Sequence, residues 1–415
     1  MHIGMIYSEN RSFPPDIRVE KEISALCAKG HRISLLAPHV PRNAPQEEML
    51  HNDQVTIRRA HIDNPNLFER LSQIFFLEYP NWTAHLSEFI HQYSPDALHV
   101  HDLYLLPTSL RIGRSAGLPV IADLHENIPA ARRAYRSTLK TLDKFISAVA
   151  FNYTIWSWHE ARALRKCAKI IVVVPEAAQR LYKYGIPKDR IVVVSNTEDE
   201  TTFQLKPNSI DSEIVRQFSS NWTVSYIGGI GPHRGLDTTI RAIPQAAKKI
   251  SNLRLLIVGV KKDDRKKLLN LIKTNGAENW VEVIEWQPFD RIKSYILASQ
   301  VCLVPHNNFE HTQTTVPHKL FQYMICGKPV LVSSCKPLAR IVTETQSGLV
   351  FEANNCKDLA HKLLEFYQNP EKSDRLGKNG YLAATGLYSW YHDAKRLTNM
   401  YRSLENAPDQ KRFDS

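Results

Sequence analysis

Several of the usual signposts of function are missing from this 415-residue chain. Its six cysteines (Cys27, Cys167, Cys302, Cys326, Cys335 and Cys356) form no C-x-x-C pair, and most sit inside apolar segments. They read as reduced, mainly structural thiols. No apolar run reaches the ~18 residues needed to cross a bilayer. The opening MHIGMIYSEN lacks the basic start and long apolar core of a signal peptide and reads as a buried first strand, so a cytoplasmic protein is expected. There is no Walker loop, no G-x-S-x-G turn and no repeat. His101-Asp102 and His125-Glu126 have no third ligand at useful spacing, so no metal site is expected.

Acidic charge is scarce in one region. The chain carries a formal net charge of +11, and between Arg132 and Lys169 only Asp143 and Glu160 oppose Arg132, Arg133, Arg136, Lys140, Lys144, Arg162, Arg165, Lys166 and Lys169. No nucleic-acid reader motif is interleaved with this cluster, so nucleic acid is not an expected partner. Within it, residues 138–166 are helix-length, with Phe145, Ile146, Val149, Phe151, Tyr153, Ile155, Trp156 and Trp158 between basic flanks. Two readings stand: a helix lying on an anionic membrane surface, or a buried connecting helix.

What is present is alternation. Apolar, β-branched runs (IGMIY, HRISLLA, ALHVH, PVIADLH, KIIVVV, RIVVVS) alternate with helical patterns such as the one from about Ile17 to Gly30. That order is the signature of a doubly wound parallel sheet, whose ligands bind at the carboxyl ends of the strands. A polar pause near 197–220 reads as a linker. A second series follows it: WTVSYIGG, a helix from Leu236, LRLLIVG, a helix from about Arg265, WVEVIEW, VCLVP, KPVLVSS and SGLVF. The expected organisation is therefore two Rossmann-like domains, 1–200 and 201–385, facing across a cleft, with 386–415 a final helix and tail packing back on the first.

The turn GGIGPHRGLDTT (228–239) brings Gly229, Gly231, His233 and Arg234 to the start of a helix, where backbone N–H groups and side chains can hold an anion. NAD is disfavoured: the spacing is G-x-G-x-x-x-G, and the next strand ends in Gly259-Val260-Lys261-Lys262, where an acidic residue would hold the ribose. In EHTQTTVPHKLFQYMICGKPVLVSS, residues Thr314 and Thr315 precede a helix expected over Pro317 to Cys326. Its first turn carries His318 and Lys319, the wrong charge for a helix N-terminus. Two positive helix ends at strand-to-helix turns of one sheet point to a diphosphate. In the first half, Asp16 follows the first strand, His101-Asp102 ends LHVHD, and Asp123, His125 and Glu126 end VIADLHE. These are strand-tip candidates for acid, base or acceptor chemistry. Asp16, Arg18 and Glu20 have the alternative fate of solvating a helix face.

The ordered set FPPDIRVEKEISALCAKGH, HVHD, LPVIADLHEN, GGIGPHRGLDTTIRA, LLIVG, TVPHKLFQYMICGKPVLVS and SGLVFEANNCKDLA resembles, over nearly the whole chain, the retaining glycosyltransferases of family 4 (group 1), and a subgroup with TxPHKLFQYM. The resemblance implies an α/β GT-B fold, with acceptor bound mainly by the first domain and nucleotide sugar by the second. It assigns His125 to the reaction centre, Arg234 to the donor diphosphate, and Trp286 to Pro288 to the border of the nucleotide base. Gly229, Gly231, His233, Thr315, His318 and Lys319 complete the phosphate cradle. The family's glutamate pair falls on Thr314 and Gln322; Gln322 retains an acceptor oxygen for ribose hydroxyls, and Glu310 is the nearest replacement for the first carboxylate. Glu310 and Asp16 join His125 as catalytic candidates, with His101 and Asp102 on the acceptor side.

The expected function is metal-independent, retaining transfer of a sugar from a nucleoside diphosphate sugar to a glycan or polyprenyl-linked acceptor, in cell-surface polysaccharide synthesis. No cofactor is expected beyond that donor substrate. The expected setting is the cytoplasm, with 132–169 resting on the inner face of the membrane. A GT-B sugar-nucleotide epimerase and a non-catalytic nucleotide-sugar-binding subunit are the alternatives.

Overall fold

A computed structural model describes residues 1–9, 12–41, 43–136, 151–203 and 210–406. The alternating pattern becomes two sheets in two compact units, the first formed by residues 1–195 and the chain from Asp393 onward, the second by residues 196–392.

In the first unit, strands β1 (His2–Ile6), β2 (Arg32–Pro38), β3 (Glu47–Leu50), β4 (Val55–Ala60), β5 (Ala97–His101), β6 (Val120–Leu124), β7 (Lys169–Val172) and β8 (Ile191–Val193) are ordered β3-β4-β2-β1-β5-β6-β7-β8. Only β3 runs antiparallel to its neighbour. Ile3 of β1 pairs with Ile33 on one side and Ala97 on the other, so the order reverses between β1 and β5. A parallel sheet needs both faces covered, which explains why β1 reads as an unbroken apolar run with Ile3, Met5 and Ile6 fully buried.

Helix Ile17–Cys27 starts where the Asp16 side chain accepts from the backbone N–H groups of Arg18 and Val19 at 3.1 and 3.2 Å. It ends three residues before the expected Gly30, which lies beyond it at φ 82°. Val19, Ile23 and Leu26 pack inward, and so do Arg18, Lys21 and Glu22. The charged face expected to be solvated is therefore partly internal.

In the second unit, β9 (Trp222–Ile227), β10 (Leu253–Val260), β11 (Val281–Glu285), β12 (Val301–Val304), β13 (Val330–Ser333) and β14 (Gly348–Phe351) are all parallel, in the order β11-β10-β9-β12-β13-β14. The order reverses between β9 and β12. Val224, Tyr226, Ile240, Leu255, Ile257 and Leu303 are central to its core. The helix expected from about Arg265 spans Lys262–Thr274, its first turn carrying Asp263 and Asp264, which suit a helix N-terminus. The stretch read as a linker belongs to this unit and holds helices Glu200–Phe203 and Ser212–Phe218.

The segment 138–166 is not one helix. Residues 137–150 lie outside the described residues, and the described remainder forms helix Tyr153–Leu164, begun by an Asn152 cap in extended conformation. The last helix, Trp390–Glu405, leaves the second unit after His392. Its remainder returns to the first, where the Tyr401 hydroxyl lies 2.7 Å from His99 Nδ1 and Glu405 pairs with the N-terminal amine.

Candidate active site

In the second unit the site is built at the reversal of strand order, the position where open α/β sheets bind ligands. β9 leaves into Gly228, whose φ of 124° suits glycine; a Cβ there would lie 2.9 Å from Lys319 Nζ. β12 leaves into Pro305-His306-Asn307. The two exits are laced together: Asn307 donates its backbone N–H to His233 O at 3.0 Å and its side-chain amide to Pro232 O at 2.9 Å. Gly235, at φ 69°, is packed so tightly on this crossing that a Cβ would sit 1.6 Å from Pro305 O. Helix Leu236–Ala247 starts immediately after it.

Lys319 enters from helix His318–Ile325, shorter by one residue at each end than expected, with Pro317 as its N-cap residue. Its Nζ stands 3.7 Å from the centroid of the Tyr226 ring, and the side chain is nearly buried. Lys319 Nζ and the Arg234 side chain make no hydrogen bond or ion pair with any described residue. Burial first, and then the Arg234 charge, holds the Lys319 ammonium well below its ordinary range. Three histidines surround the pair. His233 meets His311 edge-on at 5.0 Å and His306 at 5.9 Å. Burial, reinforced by Arg234, His311 and Lys319, lowers His233 to about 2; His306, 1% exposed with both ring nitrogens unsatisfied, is held well below its usual value for similar reasons. Such a cluster accepts negative charge readily, because an anion would satisfy the cations and the His306 ring N–H together.

Of the residues named from the sequence, Gly229, Gly231, His233, Arg234, His318 and Lys319 fall at these two exits. Gly229 accepts the Tyr226 hydroxyl at 2.6 Å through its carbonyl. Glu310 and Thr315 lie half-buried on the β12 exit loop, Glu310 beside His311. Thr314 spends its hydroxyl on its own turn, donating to His311 O at 3.2 Å and, more weakly, to Glu310 O at 3.4 Å. Gln322 gives its amide nitrogen to Glu198 Oε1 at 3.3 Å, and His318 Nδ1 lies 3.2 Å from the same oxygen. Trp286, 68% exposed, and Pro288 follow β11 at the sheet margin, two strands from β9.

The first unit holds an acid–histidine network at its own reversal, between the ends of β1 and β5. Asp123, at the tip of β6, is fully buried and holds Arg18 Nη2 at 2.7 Å, His125 Nε2 at 2.7 Å and His101 Nδ1 at 3.1 Å. Arg18 also pairs with Glu22 at 3.0 Å and donates to Val194 O at 3.1 Å. Asp102 adopts φ 61°, a left-handed conformation that aspartate tolerates better than most residues. From there it accepts the His125 backbone N–H at 3.1 Å, with His125 Nδ1 at 3.5 Å.

Burial opposes charge on His125, but Asp102 and Asp123 outweigh it and raise the imidazole to about 10. His101, buried and beside His99, falls to about 3. Asp123 stays well below the carboxylate range because Arg18 and His125 overcome its burial, whereas burial lifts Asp102 to about 7. The partly exposed His125 thus lies between two carboxyl groups that favour its charged form, Nε2 facing Asp123 and Nδ1 facing Asp102. Asp16 acts here as a helix cap and as the acceptor of the Tyr7 hydroxyl at 3.2 Å. Glu22, His99, His101 and Asp123 place ligand atoms within 4.8 Å of one another, the arrangement of a metal cluster. Both carboxylates are already bound by the Arg18 guanidinium.

Residues 18–200 match the family model described as Glycosyltransferase Family 4, and residues 209–383 the one described as Glycosyl transferases group 1. The chain belongs to the group 1 glycosyltransferases. Among relatives of this group, an uncharacterised glycosyltransferase of Methanocaldococcus jannaschii is 26% identical over 48% of this chain and 53% of its own length. WcaL of Escherichia coli, a candidate glycosyltransferase of colanic acid biosynthesis, is 25% identical over 46% and 45%. The chain spans about half the length of the curated relatives it matches. The fold is GT-B. Sucrose-phosphate synthase from Thermosynechococcus elongatus superposes with a TM-score of 0.79 at 16% identity, covering 98% of this chain and all of that one. Anabaena HepE, solved with UDP-glucose, gives 0.71 at 16%, covering 97% and 100%.

Sequence reasoning about this group 1 member missed Glu198, His306 and His311. Glu198 was hidden in a polar stretch read as linker. His306 and His311 stand on a loop whose fold the residue pattern does not encode; the one signal was His311, which lies in the segment read for phosphate, whereas His306 lies outside it.

Proposed function

We propose that this chain transfers a sugar, with retention and without a metal, from a nucleoside diphosphate sugar to a glycan or lipid-linked acceptor of cell-surface polysaccharide synthesis. The observation that carries the reading is the pair Lys319 and Arg234, two cations with no carboxylate partner among the described residues, Arg234 on the glycine turn after β9 and Lys319 reaching from its helix to Gly228 of the same turn, at the strand reversal. As the glycosidic bond breaks, negative charge grows on the leaving diphosphate, and preorganised cations stabilise it more than they stabilise the bound donor. On the first unit, His125 is the proposed donor to the reacting sugar. The UDP-glucose complex of HepE and the pathway of WcaL support donor class and setting respectively.

Incubation with UDP-, GDP- and TDP-sugars tests it. Nucleotide release that depends on an acceptor supports transfer; a changed sugar on an intact nucleotide would replace the reading with an epimerase, and binding without turnover with a binding subunit. Arg234→Ala should weaken donor affinity at least about tenfold. Unchanged affinity refutes the diphosphate assignment.

The lipid-linked acceptor carries with it an anionic membrane surface as partner, and the features that support it lie beside residues 138–166. Arg132 stacks on Tyr104 and Phe151, Arg133 on Tyr153, and Trp156 is buried. By contrast, helix Leu67–Phe76 buries none of its side chains, leaving Leu67 75% and Phe68 73% exposed. Phe76 lines a cavity of about 490 Å³ with Arg111, Arg114, Arg162 and Lys166. Apolar side chains beside clustered cations suit an anionic interface. In flotation with anionic vesicles, Leu67→Ser/Phe68→Ser and Arg114→Glu/Arg162→Glu should each leave more protein unbound than wild type. Equal fractions would remove the membrane from the proposal.

A further inference from the structure

Glu198 is 2% exposed, fixed at its backbone, and engaged at its side chain by the helix that carries Lys319. Its carbonyl accepts the Trp390 N–H at 3.1 Å, it bridges to Ser389, and two residues earlier the Asn196 amide donates to Val316 O at 2.8 Å. The carboxylate therefore has little freedom. Its Oε1 takes the Gln322 amide nitrogen at 3.3 Å and lies 3.2 Å from His318 Nδ1.

A carboxylate accepts and cannot donate, whereas an amide has one end of each kind. With Glu198 ionised, only the nitrogen of Gln322 can face it, and the amide oxygen is turned away. That oxygen takes no hydrogen bond from any described residue. We propose that Glu198 is a positioning residue of the donor site: it fixes the Gln322 amide so that its oxygen is the end offered to the vicinal hydroxyls of a nucleoside diphosphate sugar. The proposal rests on the donor reading above. It explains how an amide serves at a position where a carboxylate would accept from hydroxyls in either orientation: the missing charge stands one hydrogen bond behind. His318 Nδ1 stands 3.2 Å from the same oxygen, so the carboxylate is flanked by two nitrogens of one helix.

Calorimetric titration of wild type, Glu198→Gln, Gln322→Glu and the swapped double variant Glu198→Gln/Gln322→Glu tests this, using the tightest-binding nucleotide sugar of the UDP, GDP and TDP panel, and inorganic pyrophosphate as second probe. In Glu198→Gln the residue behind Gln322 both donates and accepts, so the amide turns either way. Nucleotide-sugar affinity should fall about tenfold while pyrophosphate affinity, set by Arg234 and Lys319, changes less than about twofold. The double variant returns an acceptor to position 322 and a donor behind it, and should regain wild-type affinity within about threefold.

Equal loss for both probes, including loss through misfolding, would show Glu198 to be structural and overturn the proposal. So would unchanged sugar affinity in Glu198→Gln, or a double variant no better than that single one. If wild type binds pyrophosphate but no nucleotide sugar, the donor reading itself falls, and this proposal with it; sugar binding by wild type with failure of the swap condemns the proposal alone.

Discussion

Lys319 is a cation placed against stability. Burial beside Arg234 pushes its pKa well below the ordinary 10.5, so over the interval between the folded value and 10.5 the unfolded chain binds a proton that the folded chain does not. Stability contributed at this site is therefore lowest when pH is below the folded value and recovers as pH rises toward 10.5. A diphosphate reverses the bias by favouring the ammonium, so its binding should take up protons. Calorimetry of pyrophosphate binding at a series of pH values up to about 10, in buffers of different ionisation enthalpy, should show net uptake that grows as pH rises past the folded value, and heats independent of buffer at every pH would contradict it. Lys319→Met removes the same conflict by other means: we expect the unliganded protein to melt about 2–4 °C higher while donor affinity drops at least about tenfold. A variant that melts lower would mean that the Lys319 side chain stabilises the unliganded fold, and would contradict this.

At the scale of the element, the turn between β9 and its helix is held by close backbone approach. Gly235→Ala adds the cost of a left-handed alanine, about 1–2 kcal/mol, to a collision with Pro305 O. Gly276→Ala adds only the first, because nothing lies within 4 Å of its Cβ position at φ 58°. Thermal melting and pyrophosphate affinity of the two variants should separate these contributions, with Gly235→Ala losing both and Gly276→Ala a little stability alone; equal behaviour would show that packing at Pro305 relaxes freely. This turn was legible in the sequence because glycine spacing and a following helix are local signals. So were β1, β9 and the start of helix Leu236–Ala247. The Glu198–Gln322 contact was not, since its partners are 124 residues apart, nor was the Arg18–Asp123 pair at 105. Arg18 illustrates the limit: on a helix rich in charge it reads as solvated, and only the tertiary fold supplies the buried Asp123 that draws it inward. Helix Leu67–Phe76 shows the opposite case, with apolar side chains of which none is buried.

At the scale of the whole molecule, the chain passes from the first unit to the second after Ser195 and back after His392. The returning helix buries Leu397, Met400, Tyr401 and Leu404 and sets the Tyr401 hydroxyl on His99. Ending the chain after His392 should therefore loosen β1, β5 and helix Ile17–Cys27 and leave β9 to β14 protected. Hydrogen exchange reads this directly, and protection lost evenly across both sheets would contradict it. The same threading bears on synthesis. The first unit emerges from the ribosome early but lacks its closing helix until the second has been made. The second, continuous in sequence, can finish while the first still waits with His99 and its neighbours uncovered, so the order of completion is opposite to the order of translation.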